Sequence, residues 1–544
     1  MKKSLVGGVV VVGLVAGSLV LGLESGESRA KSISLSKVGT IAAGPIADVF
    51  DEGAAEIPAY DPASKRAFVV NGFEDVVDVI DVADPANPTE VGELDVSSFG
   101  SPNSVDVSNG VVAVASTAIV VDDGENEDDP TKPGTVAFFD AKGTALRAPI
   151  VLGGTPDMLT FTHDGKWLLV ANEGEPNSYG EADSVDPEGS VSVIDMRAGV
   201  AAATARTADF HAFDAKKAAL QQAGVRIFGP GASVSQDVEP EYIAVATNSK
   251  TAWVTLQEAN AVAELDVAGA SIKSISPLGT KDHSLPNNGL DASDQDGPAI
   301  ALRSVRGMYM PDAIVAFQQN GKTFLVTANE GDVREWDGIK GPGTDTELAR
   351  AGSLGSQLDA PLPPGLNRLN VTTVPGRAGG DTDGNGKIDV LMSFGARSIS
   401  VWSTNVKLLA DTGDQLEQVT KATTGVAFNA SNTNNTVDNR SDDKGPEPEG
   451  IALGQIAGTW YAFVALERVG GVAVYDLSAP QSPAFVEWVP GRDYTQPVNS
   501  GLAGDLGPEG LVFVGPDESP TGEPLLIVAN EISGTTTIYE IERS

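Results

Sequence analysis

The residues of this chain best equipped for chemistry are carboxylates and amides that open or close short apolar runs. Glu56, Asn103, Asp157, Glu241, Asp312, Glu449 and Glu509 each open a run. The run that follows is closed by Asn71, by Asn172 with Glu173, by Gln257 with Glu258, by Asn329 with Glu330, by Glu467, or by Asn530 with Glu531. Oxygen donors without thiolate or imidazole select Ca²⁺, Mg²⁺ or Mn²⁺ over Zn²⁺. A single acid of this kind commonly does no more than hydrogen-bond a turn amide. A set that converges on one place repels itself unless cations or protons intervene.

The strongest local motif is Asp381-Thr382-Asp383-Gly384-Asn385-Gly386-Lys387-Ile388-Asp389. Oxygen side chains at positions 1, 3, 5 and 9, the Lys387 carbonyl at 7, Gly at 6 and Ile at 8 match the calcium loop of an EF-hand. Met392 stands at position 12, where a bidentate acid belongs. The expected affinity is therefore weak, on the order of 10⁻⁴ to 10⁻³ M, unless another acid reaches in. Asp291, Asp294 and Asp296, before Gly297, form a looser cluster that is either a ligand set or a solvated loop.

Composition removes most other chemistry. The 544 residues include no cysteine and three histidines, which excludes thiol catalysis, iron–sulfur clusters and zinc ribbons. His163 is expected in a turn on the face opposite the acids and His211 in a helical insertion, so only His283 can approach them. A Ser-His-Asp triad is not expected. Acidic residues number 75 against 36 basic ones, a net charge of −39. Such a surface repels nucleic acid and anionic lipid and attracts cations. Arg303, Arg306, Arg334, Arg397, Arg440, Lys444 and Arg468 lie in segments expected near the acids.

The elements that must position these groups are short strands. After residue 31, Val/Ile/Leu-rich runs recur every 8–12 residues between Gly, Asn, Asp and Pro, which predicts an all-β fold. They recur as a unit of about 40 residues, and four strands at that period predict a β-propeller. Seven units are expected: Glu56 to Asp81, Asn103 to Asp140, Asp157 to Asp195, Glu241 to Asp266, Asp312 to Glu330 with Arg397 to Trp402, Glu449 to Asp476, and Glu509 to Glu540. The last unit lacks an outer strand, and residues 33–42 read as an orphan one. The N-terminal strand is thus expected to close the last blade of a seven-bladed ring. In a blade the first strand starts where the second ends, so the acids are expected at one mouth of the central channel. Long insertions are expected at about 197–236, 279–310 and 331–395, with a short helix near Asp214 to Ala223. Residues 1–30 carry Lys2, Lys3, an apolar run from Leu5 to Leu23 and a small-residue site at Ser28-Arg29-Ala30. This is the pattern of a signal peptide or, uncleaved, of an N-terminal anchor, and it predicts an extracellular, periplasmic or cell-surface location.

Several segments carry a resemblance: T-P-D-M-L-T-F from Thr155, A-N-E-G-E-P-N from Ala171, L-D-A-S-D-Q-D-G from Leu290, M-Y-M-P-D-A-I from Met308, T-A-N-E-G-D-V-R-E-W from Thr327, F-G-A-R-S-I-S-V-W from Phe394 and R-S-D-D-K-G-P-E-P-E-G from Arg440. Over roughly residues 35–542 the chain resembles the bacterial choice-of-anchor I domain family, which also includes the sea-urchin mesenchyme-specific cell-surface glycoprotein. The resemblance implies an exported, often surface-anchored propeller. Some relatives carry alkaline-phosphatase labels, and the animal member is associated with calcium-carbonate skeletons. The carboxy-terminal anchor of the family is not seen here.

Two functions follow as expectations. The first is a calcium-dependent surface or matrix protein that binds ions and a polysaccharide, phosphoester or surface protein. Its metal ligands are Asp381, Asp383, Asn385, Lys387 and Asp389 in the loop, with Asp157, Glu173, Asp312, Glu330, Glu449 and Glu509 at the mouth. The second is a metal-dependent phosphoric-ester hydrolase, alkaline-phosphatase-like or phytase-like. There the mouth carboxylates hold divalent metal such as Ca²⁺, Mn²⁺ or Mg²⁺, Glu449 and Glu509 are candidate catalytic groups, and Arg397 and Lys444 balance developing negative charge. No nucleic acid partner is expected, and no membrane contact except through residues 1–30.

Overall fold

The computed structural model describes residues 33–122, 125–341, 343–344, 346–423 and 428–543. The expected export segment over residues 1–30 lies outside them. Among the described residues no helix is long and apolar enough to cross a membrane.

Among the described residues, seven antiparallel four-stranded sheets form the body. In chain order their inner strands are Pro58–Asp61, Ser101–Ser108, Pro156–Phe161, Pro240–Val245, Ile314–Gln319, Pro448–Ile456 and Pro508–Val514, and we number the blades 1 to 7 accordingly. Each inner strand packs against the next, and the seventh packs against the first, so the sheets form a closed ring. The chain is a β-propeller. Second and third strands such as Trp167–Asn172 and Ser190–Asp195 are buried along almost their whole length. They are covered on both faces by neighbouring blades, which is why they read as continuous apolar runs rather than as an alternation. Separate apolar clusters fill the wedges, for example Phe68, Val77 and Val112 between blades 1 and 2, and Val326, Val464 and Tyr475 between blades 5 and 6.

The N-terminal strand Ile33–Ala42 is the outermost strand of blade 7 and pairs antiparallel with Thr535–Arg543, from Ile33 opposite Arg543 to Ala42 opposite Thr535. The sheet edge left open by the C-terminal strand is covered in this way. The unit boundaries follow the sequence pattern, with one shift. Thr204–Asp209, expected inside the first insertion, is the outer strand of blade 3. The first insertion therefore runs over residues 210–239. It carries the helices His211–Asp214 and Lys217–Ala223 and packs Phe210, Phe213 and Val234 onto blades 3 and 4.

The segments around residues 279–310 and 331–395 meet in a small three-stranded sheet of Thr280–Asp282, Arg306–Met308 and Met392–Ser393. They share a core of Leu290, Val305, Leu354, Leu366, Val371 and Leu391. A further long connection, residues 412–447 between blades 5 and 6, carries the helix Gln415–Thr423 and delivers Arg440, Lys444 and Glu447 to the same end of the ring.

Candidate functional site

The acids converge because one backbone device recurs blade after blade. Four inner strands begin Pro-acid-x-aliphatic and carry a bulge there: Pro156 to Leu159, Pro240 to Ile243, Pro448 to Ile451 and Pro508 to Leu511. The residue before the proline takes a positive φ at Thr155 (40°), Glu239 (37°), Met310 (39°), Glu447 (51°) and Gly507 (63°). This conformation is costly for a side-chain-bearing residue. The end of the second strand is tied to the same point. Glu173, Glu467 and Glu531 donate their backbone N–H groups to the carbonyls of Thr155, Glu447 and Gly507, at 2.8, 2.9 and 2.7 Å. Acids from the first and second strands of a blade are thereby fixed at one rim. Where two inner strands come closest the residue after the acid is glycine: a Cβ on Gly450 would lie 1.8 Å from the Glu509 carbonyl oxygen.

The asparagines at this rim close their own blades. Asn172 donates to Ser190 and Ser192, Asn329 to Ser398 and Ser400, Asn71 to Asp78, Asn103 to Thr117, and Asn530 to the Thr535 carbonyl. The carboxylates divide into three groups.

The first group is Glu173, Glu241 and Glu258, whose nearest oxygens lie within 4.8 Å of one another. Two calcium–oxygen bonds of about 2.4 Å span the same distance. Glu241 and Glu258 are each 6% exposed, and each has a buried oxygen without a hydrogen-bond partner. Among the described residues none of the three has an ion-pair partner. Arg334, the nearby cation, is engaged by Asp237 and Glu239 at 2.5 Å each. Burial, and then the charge of Glu258 and Glu173, hold Glu241 well above the usual carboxylate range. Burial, and then Glu175, do the same for Glu173. Burial pushes Glu258 up to about 7 against the pull of Arg334, and Glu175 up to about 8. These groups line a cavity of about 630 Å³ at the mouth.

The second group, Glu330, Glu447 and Glu467, is as closely spaced but already neutralised. Lys444 lies 2.6 Å from Glu330 and 3.3 Å from Glu447, Arg440 is 2.7 Å from Glu447, and Arg468 is 3.1 Å from Glu467. Burial alone would raise Glu447, but Arg440, Lys444 and Arg468 outweigh it and bring it down to about 2. This is an ion-pair network, and a cation would have to displace it.

The third group lines the channel below. Asp157, Asp312, Glu449 and Glu509 share a cavity of about 320 Å³ with Asn103 and Tyr242. Glu449 and Glu509 each keep a buried oxygen without a partner. Burial raises all four, Asp157 to about 7. Glu56, beside Glu531 and Glu509, is pushed by burial up to about 8.

The loop at Asp381 stands apart on the surface of the third insertion. Asp381 accepts N–H groups from Gly384, Asn385 and Gly386, Asp383 accepts from Asn385, and Asp389 accepts from Thr382 and Asp383. Oxygens of Asp381, Asp383 and Asp389 lie within 4.8 Å of one another. Lys387 donates its backbone N–H to Asn385. Asn385 donates its side-chain amide to Asp359 at 3.4 Å.

Other expected groups are dispersed. Arg397 is buried away from the cavity, with its guanidinium bound to Glu417 and to the carbonyls of Asp291, Ser441 and Asp443. Asp294 pairs with Arg368, and Asp291 accepts from Ala299, so the Asp291, Asp294 and Asp296 cluster does not converge. Arg306 pairs with Asp282. Of the histidines, His163 meets the Val245 carbonyl and His211 pairs with Glu188 at the surface. His283 is buried against Asn288, and burial lowers it to about 3. Glu175, Glu239 and Glu447 complete the mouth and were not singled out from the sequence. The repeated Glu-Pro-Glu at Glu239-Pro240-Glu241 and Glu447-Pro448-Glu449 is the signal that marks two of them.

Among known proteins, Gigasin-3a of Magallana gigas is 29% identical over 188 residues, covering 32% of this chain and 64% of that one. The mesenchyme-specific cell surface glycoprotein of Strongylocentrotus purpuratus is 25% identical over 286 residues, covering 46% of this chain and 36% of that one. The chain thus spans less than two thirds of the length of either relative. The β-propeller domain of Cps50 (Swd1) from Myceliophteria thermophila overlaps 93% of this chain and 99% of its own at a TM-score of 0.43 and 7% identity, which adds nothing to the ring already described. The description of the choice-of-anchor I domain matches residues 56–480, from the opening of blade 1 to just past the third strand of blade 6, and the chain belongs to that family.

Proposed function

We propose that this protein is a surface or extracellular propeller that binds a divalent cation, calcium first, at its acidic mouth. The observation that carries the reading is the trio Glu173, Glu241 and Glu258: three carboxylates at ligand spacing, two of them 6% exposed with an oxygen lacking any partner, and none with an ion-pair partner among the described residues. A buried carboxylate in that state is stable only with a proton or a cation. Oxygen ligands alone select a hard cation. The loop at Asp381 is a second, weaker calcium site, with oxygens of Asp381, Asp383 and Asp389 at ligand spacing. The surface location rests on family membership and on the name of the sea-urchin relative.

Metal content after gel filtration tests this. Wild type is expected to retain divalent metal, and the double variant E241Q/E258Q to lose it. D381N loses only a fast-exchanging calcium. In chelator the double variant melts above wild type, because two carboxyl groups that burial and their neighbours force to hold protons are gone. Metal content unchanged by the double substitution would sink the reading. Phosphoester hydrolysis stands behind it, since Arg397 and Lys444 both have their N–H groups engaged within the protein. Turnover of p-nitrophenyl phosphate with Ca²⁺ or Mn²⁺, lost in E449Q, would reverse that order.

A further inference from the structure

The cavity above the trio has a second wall of opposite character. Arg440 and Arg468 both line it. Each is engaged through only part of its fork. Arg440 uses Nε on Glu447 and Nη2 on Asp443, and Arg468 uses Nε on Glu447 and Glu467 and Nη1 on Asn432. Among the described residues Nη1 of Arg440 and Nη2 of Arg468 have no protein partner, and the side chains remain 22% and 30% exposed. Two guanidinium groups with unengaged N–H donors on one cavity wall form a clamp for an oxyanion.

The rest of the lining narrows the ligand. The volume of about 630 Å³ suits a small molecule or one end of a chain. The walls are mostly polar and charged, which disfavours an apolar ligand. Trp336 supplies one aromatic face. Asn370 donates to Asp443, and among the described residues its side-chain oxygen has no protein donor. An aromatic face, an amide, a cation that can coordinate hydroxyls and an arginine clamp together fit a hydroxylated ring that bears an acid.

Charge decides which acid. Glu330, Glu447, Glu467, Asp332 and Asp443 surround the clamp and its neighbour Lys444, so the local field is not positive. Repulsion from that field doubles for a dianion relative to a monoanion, which favours a carboxylate over a phosphate. We propose that the mouth cavity binds a uronic-acid sugar, its ring hydroxyls facing the cation at Glu173, Glu241 and Glu258 and its carboxylate held by Arg440 and Arg468. The proposal rests on the cation reading for its acidic wall.

Calorimetric titration of the full chain tests it, with D-galacturonate and D-glucuronate as probes, glucose and inorganic phosphate as controls, and calcium or EGTA in the buffer. At least one uronate is expected to bind saturably with calcium and at least tenfold more weakly in EGTA. Glucose and phosphate are expected to give no saturable heat. R468K keeps the charge beside Glu447 and Glu467 but loses the fork, and is expected to bind the uronate at least tenfold more weakly with an unchanged melting curve. W336L reports the aromatic face and is expected to weaken binding without changing metal content. A calcium-loaded wild type that ignores both uronates, or that prefers phosphate, overturns the ligand reading alone. Uronate binding that depends on Arg468 in a protein without metal at the trio overturns the cation reading and the cation's part in holding the sugar, and leaves only the arginine clamp. Uronate binding indifferent to both R468K and W336L places the sugar elsewhere and also defeats the proposal.

Discussion

A residue with a side chain at positive φ costs about 1–3 kcal/mol, and this chain accepts that cost at Thr155, Glu239 and Glu447, each directly before the proline that opens an inner strand, and at Met310, before the Pro311 that leads into the inner strand of blade 5. Repetition at equivalent places argues for one purpose: the turn and the bulge after it set the following acid at the rim. Gly450 shows how tight the arrangement is. G450A would place a methyl 1.8 Å from the Glu509 carbonyl, and we expect a loss of about 1–3 kcal/mol, read as a lower urea midpoint with unchanged slope. Restored stability at that position would mean that the inner strands can part without penalty. Much of this was legible, because Pro-acid recurs at Asp157, Glu241, Asp312, Glu449 and Glu509. The partition into an unpaired trio and a neutralised trio was not legible. It depends on Arg440 and Lys444 arriving from a connection whose path no periodicity reveals, and on Arg468 in the turn after the second strand of blade 6.

At the scale of elements, the strand Ile33–Ala42 holds the ring shut. It buries Ile33 and Leu35 against blade 6 and presents Val38 and Ile41 to the cluster shared with blade 1. Deleting residues 31–45 removes the burial of Ile33 and Leu35 alone, worth about 3–6 kcal/mol, and bares the edge of Thr535–Arg543 to other chains. The truncated protein is expected to melt markedly lower and to associate on warming. A melting curve like that of the full chain would contradict closure by this strand. This strand was visible as an apolar run without a blade of its own. Thr204–Asp209 was hidden for the opposite reason: nearly all of its side chains face water, so an outer strand of this kind shows no alternation to detect. The connection over residues 412–447 shows no strand period, and polar ties such as Arg397 to Glu417 hold it alongside the burial of Leu416 and Phe428.

At the scale of the molecule, the net charge of −39 is mostly spread over exposed surface, whereas the mouth acids are held inside. The two populations differ in their response to pH. Without metal, the folded chain keeps protons on Glu56 and Glu175 up to about 8 and on Glu258 and Asp157 up to about 7. The unfolded chain has released its own near 4 to 4.5. Between those limits the native state binds more protons, so stability falls as pH rises. In EGTA the melting temperature is expected to drop steadily from pH 5 to pH 8.5. Calcium should flatten the profile by supplying charge that protons otherwise provide. A flat profile in EGTA would mean that the mouth acids feel no mutual repulsion.

The pairing of Ile33 with Arg543 has a consequence for orientation. In blade 7 the inner strand leaves the mouth, so the following strands place Arg543 and Ile33 together at the opposite rim. Any tether joined to either end would emerge beneath the ring, like a stem, and hold the acidic cup open toward whatever drifts past.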